Sequence, residues 1–224
     1  MRQVAGSCVV VAVIAMMSGW QGARAATESA APSPPSTAAS AASAAHALVQ
    51  RVLKLADHRQ MPFAVVDKQS ATITVYRADG SVAGVSTVLL GRTPGDAASM
   101  GVGERAQTGS LRLDDLTTPA GRFTTVPGRN LAGDTVVWMD YANALAIHRL
   151  RPAPADQQRP RRMASVNPRD KRISAGCVVV PGDFFDAVVQ PVLGHGQGVV
   201  YVMPEDSSRW HTLWPAGAQA PVAL

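Results

Sequence analysis

The chain lacks a second usable cysteine, a metal-ligand cluster, an apolar run of membrane-spanning length and any internal repeat. Each absence closes off a class of protein. Of its 224 residues only Cys8 and Cys177 carry thiols. Cys8 falls inside a leader-like N-terminus, so the processed chain keeps one thiol and no disulfide framework. The five histidines form no cluster with Cys177 or carboxylates at ligand spacing, so neither a metal nor another cofactor is expected. The longest apolar stretch, Val9 to Met17, is far shorter than the ~20 residues of a transmembrane helix.

What precedes and follows that stretch has the layout of an export signal. Arg2 stands before it, and Ala23-Arg24-Ala25 after it offers a small-x-small cleavage pattern, so residues 1–25 read as a secretory signal peptide. The expected protein is exported to a periplasm or cell wall, without a membrane span after processing. Export also separates it from nucleic acid. The full chain carries a net charge of +5, and loss of Arg2 and Arg24 leaves +3. Residues 26–46 are almost only Ala, Ser, Pro and Thr, with little to offset ordering entropy, and read as a linker. Residues 47–60 follow as a short amphipathic helix, with Leu48, Val49, Val52 and Leu55 on one face.

Residues 61–204 are of single-domain size, and 205–224 form a C-terminal tail. The domain reads as mostly β with short helices. Phe63 to Asp67, Thr72 to Tyr76 and Val82 to Leu90 are β-branched runs divided by turn chemistry, which predicts hairpins. Residues 91–117 are rich in Gly, Thr, Asp and Ser and read as a long surface excursion. Within it Asp114-Asp115 reads as a solvated pair. The Thr118-Pro119-Ala120-Gly121-Arg122-Phe123 segment suits a tight turn launching a strand. Thr135 to Met139 and Ala144 to His148 form another hairpin, Pro181 to Val189 a helix, and Gly198 to Val202 a last core strand.

Two residues stand out chemically. Cys177 follows a Ser174-Ala175-Gly176 turn and precedes an apolar run, which places its sulfur at a loop-to-strand junction. A lone thiol there is either an inert small hydrophobe or a nucleophile. Upstream, alternation puts Ala144, Ala146 and His148 on one strand face and Leu145 and Ile147 on the other. The small residues leave room beside His148 for a ligand or a neighbouring loop.

The Thr-Pro-x-Gly-x-Phe turn, the strand-end His148 and the later Ser174-Ala175-Gly176-Cys177 together resemble the L,D-transpeptidase catalytic domain. The resemblance covers about Phe63 to Val202. It implies a mixed β-sheet sandwich or barrel and cysteine acyl transfer on peptidoglycan stem peptides. A terminal D-amino acid would be released, a Cys177 thioester formed, and carbapenem-type inhibitors would acylate the same thiol. Carried over by position, Cys177 is the nucleophile and His148 the base that raises its thiolate fraction. Gly176 and Cys177 would supply oxyanion N–H groups, and Ser174 matches the family serine.

Departures from the pattern keep other functions in view. Ala175 stands where histidine is usual, and Val179 where arginine or asparagine is usual. The spacer from Arg149 to Lys171 is long. The alternatives are a weakened or inactive peptidoglycan-binding relative and an L,D-carboxypeptidase or crosslink hydrolase with water as acceptor. Residues 149–172 carry eight basic side chains against Asp156 and Asp170, leaving the remainder of the processed chain acidic. Arg149, Arg159, Arg161, Arg162 and Arg172 are therefore candidate substrate-binding residues in a basic insertion over an acidic substrate.

Overall fold

A computed structural model describes residues 37–213. Helix α1 (Thr37–Leu55) begins within the segment read as linker and ends before residue 60. The alanines that made residues 37–46 look like low-complexity tether are also the strongest helix formers, and they extend the helix backwards from its packed end. The signal peptide and the first part of the linker lie outside the described residues. Among those described, no helix is long and apolar enough to cross a membrane.

The strands are β1 (Phe63–Asp67), β2 (Thr72–Tyr76), β3 (Val82–Thr87), β4 (Leu90–Gly91), β5 (Gly121–Arg129), β6 (Thr135–Asp140), β7 (Leu145–Arg149), β8 (Arg172–Ser174), β9 (Val178–Val180) and β10 (Gly198–Val202). Eight of them form one mixed sheet in the order β3-β2-β1-β10-β5-β6-β7-β9, and β4 pairs with β8. The chain beyond β3 then reaches the opposite edge. Leu89 N–H donates to Val179 O at 2.8 Å and Val179 N–H returns the bond at 2.9 Å. This bridge draws the sheet's two edges together, giving the mostly β architecture with short helices expected from the sequence.

Alternation divides the strand residues between two cores. Ala64, Val66, Ile73, Val75, Val137, Ile147, Val178, Val200 and Val202 face inward, where Phe185, Val189 and Leu193 fill the space. Those three come from the helical stretch after β9, made of α4 (Gly182–Phe184), a π turn (Phe185–Val189) and α5 (Gln190–Leu193). Phe63, Val65, Val199 and Tyr201 face the other way, against Leu48, Val49 and Val52 of α1. Strands β1 and β10 are consequently buried along their whole length. Trp210 of α6 (Trp210–Leu213) packs on the same α1 cluster, as a packing residue would.

Polar ties fix the loops around the sheet. Lys68 is fully buried, and its ammonium donates to Asp96 at 2.7 Å and to Thr118 O at 3.0 Å, with Glu205 at 3.3 Å. Arg122, inside the proline-containing turn, donates to Asp57 Oδ2 at 2.8 Å, and Tyr201 also donates to Asp57. The excursion contains helices α2 (Val102–Thr108) and α3 (Arg159–Ala164) lies in the basic insertion. Gly103 of α2 sits so close to the β6–β7 turn that a Cβ there would lie 1.7 Å from Ala142 O.

Asp115 corrects the solvated-pair expectation. Its carboxylate is buried and accepts from Arg105 Nε at 2.7 Å and Arg112 N–H at 2.8 Å. The Arg105 hydrogen bonds are the main reason its carboxyl stays well below the usual carboxylate range. This pair pins the excursion across ten residues, where the sequence suggested open loop.

Candidate functional site

The site is built on strands β7 and β9, which run parallel with Ile147 opposite Val178 and His148 opposite Val179. Extending that register by one residue sets Cys177 opposite Ala146. Directly paired residues share a sheet face, so Ala146, His148, Cys177 and Val179 lie on the face turned away from the inner core. Two residues along one strand and one strand across separate His148 from Cys177, roughly 8 Å between Cα atoms. Side chains of this length can meet across that diagonal.

The turn before Cys177 is held from several directions. Ser174 Oγ donates to Cys177 O at 2.7 Å and accepts Gly176 N–H at 3.1 Å. Gly176 has φ 116°, and a Cβ there would lie 2.8 Å from Thr117 O, so the position requires glycine. Thr118, fully buried, accepts Gly91 N–H at 2.8 Å and donates to Gly176 O at 2.7 Å. This hydroxyl joins the Thr-Pro turn to the cysteine turn. It is a positioning contact that sequence inspection passed over, although the threonine's place in the motif was its visible signal.

These bonds correct one expectation. The Gly176 N–H, assigned to an oxyanion, is occupied by Ser174 Oγ. Ser174 thus shapes the turn instead of facing a substrate. Ala175 is exposed and lines a cavity of about 20 Å³ together with Val102, Thr117, Asn143, Ala144 and Gly176. Such a volume holds about one water. Val179 is buried against Leu89, Met163 and Ile173. Met163 comes from α3, so the basic segment covers Val179.

Cys177 and His148 are both partly buried. Among the described residues the thiol donates to Ala144 O at 3.4 Å, and no Cys177–His148 hydrogen bond forms. His148 Nδ1 lies 2.8 Å from Arg149 O. A carbonyl oxygen only accepts, so Nδ1 carries the proton and Nε2 keeps its lone pair. Burial pushes the His148 pKa down to about 4, reinforced by Arg151 and Arg159 and opposed by that Arg149 carbonyl and by Asp134. Burial also pushes the Cys177 thiol up, against weaker help from the Ala146 N–H and Arg151. The lowered thiolate threshold expected from sequence is therefore reversed. At rest the pair is a neutral thiol and a neutral imidazole, without the charge separation of an ion pair.

Ala144 itself sits at φ 55° in the β6–β7 turn. A non-glycine residue in this region costs about 1–2 kcal/mol. Ala144→Gly is expected to raise the unfolding free energy by about 0.5 kcal/mol, and the urea midpoint with it, since the strain relieved exceeds the added chain entropy of about 0.4–1 kcal/mol. Equilibrium urea unfolding with an unchanged slope checks it; a lowered midpoint overturns it.

Across the same face, Trp138 of β6 pairs with Ala146. Trp138 and Cys177 are therefore two strands apart with one methyl group between them. Tyr141 meets Trp138 edge-on, centroids 5.0 Å apart. The Trp138 ring overlies Gly128 of β5, where a Cβ would come within 2.6 Å of it. Neither aromatic was singled out from sequence; the cross-strand register reveals them.

The candidate arginines separate on inspection. Arg172 pairs with Glu205 at 2.6 Å, and Arg149 pairs with Asp186 and stacks 4.6 Å over Phe185. Arg162 donates to the carbonyls of Gln157 and Asp170, both at 2.9 Å, and Arg161 to Gln158 Oε1 at 3.1 Å. Arg159 alone of the five acts electrostatically on His148, alongside Arg151. Among the described residues no group of His, Cys, Asp and Glu can hold a metal ion.

No protein-family model matches the chain, and no curated protein matches it. Among solved structures it is similar to an L,D-transpeptidase from Mycobacterium smegmatis, at 16% identity and TM-score 0.35 over 63% of this chain. It is also similar to the LD transpeptidase LdtMt1 in complex with imipenem, at 18% identity and TM-score 0.33 over 63% of this chain. The match spans 58% of the length of each of those chains.

Proposed function

We propose that the protein is an exported cysteine acyltransferase acting on peptidoglycan stem peptides, with Cys177 as nucleophile and His148 as base. The observation that carries this reading is the placement of both side chains on one face of adjacent strands, with His148 Nδ1 committed to Arg149 O. Nε2 is thereby kept in the form that accepts a proton. The motif resemblance supplies the substrate class.

The chemistry follows from two neutral groups. As the sulfur attacks the carbonyl of the penultimate stem residue, its proton passes to His148 Nε2. The tetrahedral centre collapses with cleavage of the C–N bond, and His148 returns the proton to the departing D-amino acid nitrogen. A second stem's amine then attacks the thioester, its proton travels by His148 to the sulfur, and free thiol is regenerated. Water in place of that amine makes the protein an L,D-carboxypeptidase or crosslink hydrolase.

Intact mass spectrometry after incubation with a carbapenem, and separately with a tetrapeptide stem, tests the reading. One adduct mapping to Cys177 is expected from each. A second reading, a stem-peptide-binding relative whose chemistry has lapsed, draws on the thiol's bond to Ala144 O and the occupied Gly176 N–H. Unmodified protein that still binds the tetrapeptide selects it.

A further inference from the structure

The Cys177 thiol is held by an element other than its own turn. Its acceptor, Ala144 O at 3.4 Å, closes the link between β6 and β7, 33 residues earlier in the chain. That link is pinned from within. Asp140 Oδ1 accepts Asn143 N–H at 3.0 Å and Asp140 Oδ2 accepts from Asn143 Nδ2 at 2.7 Å, so both carboxylate oxygens serve one neighbour. Ala144 N–H then donates to Tyr141 O at 3.1 Å. The ladder register also slips here, with Trp138 opposite Ala146 but Asp140 opposite Leu145, a bulge that re-aims the chain as it enters the turn.

The outcome is a strained residue aimed at the sulfur. Ala144 stands at φ 55°, a conformation that a non-glycine residue keeps only where its surroundings impose it. Those surroundings are the two Asp140–Asn143 bonds and helix α2, whose Gly103 leaves no space for a Cβ beside Ala142 O. The cysteine turn has its own anchors in Ser174 and Thr118. A cavity of about 20 Å³ is lined by Asn143 and Ala144 from one turn and by Ala175 and Gly176 from the other, leaving a gap between them. The thiol thus bridges two separately anchored turns. S–H is a weak donor, so a small shift of Ala144 O is enough to undo the bond.

We propose that Asp140 is a positioning residue for the nucleophile: by fixing the β6–β7 turn it aims Ala144 O at the Cys177 thiol, which is thereby held off His148 at rest. This rests on His148 being the base of the acyl-transfer reading, and it names the contact that must break before the proton moves. A thiol has one proton. While that proton points at Ala144 O it is not available to His148 Nε2, which agrees with the absence of a Cys177–His148 hydrogen bond among the described residues. Ser174 and Thr118 set where the cysteine backbone lies, and Asp140, acting through Asn143 and Ala144, sets where its side chain points.

Iodoacetamide tests this without any wall substrate, since the sulfur displaces iodide and the thiol proton goes to His148 or to buffer. Alkylation of the full-length protein is timed at neutral pH, with peptide mapping to count Cys177 apart from Cys8. Asp140→Ala is expected to speed it about 2- to 10-fold, the net worth of one hydrogen bond. Asp140→Asn and Asn143→Ala, which each keep an oxygen at residue 140 for the Asn143 N–H, should speed it less. Most of the gain should vanish when His148→Ala is added, whereas simple exposure of the thiol would raise the rate with or without the imidazole. Urea unfolding establishes that each variant is folded where rates are compared, and Asn143→Ala carries the test if Asp140→Ala is not. Unchanged or slower alkylation in the folded variants, or equal gains with and without His148, overturns the proposal. A His148-dependent gain in a protein that neither carbapenem nor stem acylates keeps the positioning role and removes the acyltransferase; carbapenem acylation of Cys177 with unchanged alkylation does the reverse.

Discussion

His148→Ala is expected to slow acylation of Cys177 by about 10²- to 10⁴-fold, the range of a lost general base. The pH profile should identify the cause. His148 accepts a proton only when neutral, and its pKa lies at about 4. The wild-type rate should therefore climb as pH rises through about 4 and stay level across neutrality. It should climb again only in the alkaline range, because burial raises the thiol and delays direct thiolate formation. In His148→Ala the acidic limb should vanish and the alkaline limb remain. Carbapenem acylation rates from pH 4 to 10 check this, and a bell centred near neutrality, the signature of a thiolate–imidazolium pair, would overturn it.

The same depression sets a stability prediction with a definite sign. Unfolded, His148 titrates near the ordinary ~6.5; folded, it titrates at about 4. Between those values the unfolded chain binds the extra proton, so this residue's contribution to stability is present above 6.5 and lost as pH falls towards 4. His148→Gln should flatten unfolding free energy against pH in that window.

Legibility of the fold tracked the strength of local signals. Phe63–Asp67, Thr72–Tyr76 and Gly198–Val202 match their expected bounds because β-branched runs end at turn residues. Strand β5 was visible only at its start, since Pro127 and Gly128 interrupt its pattern. It holds its place because Val126 to Arg129 pair with β6 through register. Helix α2 is too short for periodicity, and it exists through packing against the β6–β7 turn and the Arg105–Asp115 pair.

At the site, alternation alone put His148 and Ala146 on one face, and the junction before Val178 put Cys177 at a strand start. Sequence could not say which amides were already taken. Whether Gly176 N–H faces a substrate or Ser174 Oγ depends on one side-chain rotamer and a positive φ. The charge excess of residues 149–172 was countable, yet its distribution was not. Arg172 and Arg149 are consumed by Glu205 and Asp186, which lie far away in sequence.

Thr118→Val is expected to cost about 3 kcal/mol of stability and to depress acylation further than that loss explains. Valine preserves the shape but removes the hydroxyl, leaving Gly91 N–H and Gly176 O without their partner in a buried place. Each orphaned group costs about 1–3 kcal/mol. Gly176 precedes the nucleophile and occupies a conformation that other residues resist, so its carbonyl needs that anchor to hold φ at 116°. Thr118→Ser, which keeps the oxygen and loses only a methyl, should recover most of the acylation rate and a smaller part of the stability. Urea unfolding together with carbapenem acylation, measured where both variants are fully folded, distinguishes the two effects. Acylation equal to wild type in folded Thr118→Val would mean that Ser174 alone sets the cysteine turn, through Cys177 O and Gly176 N–H.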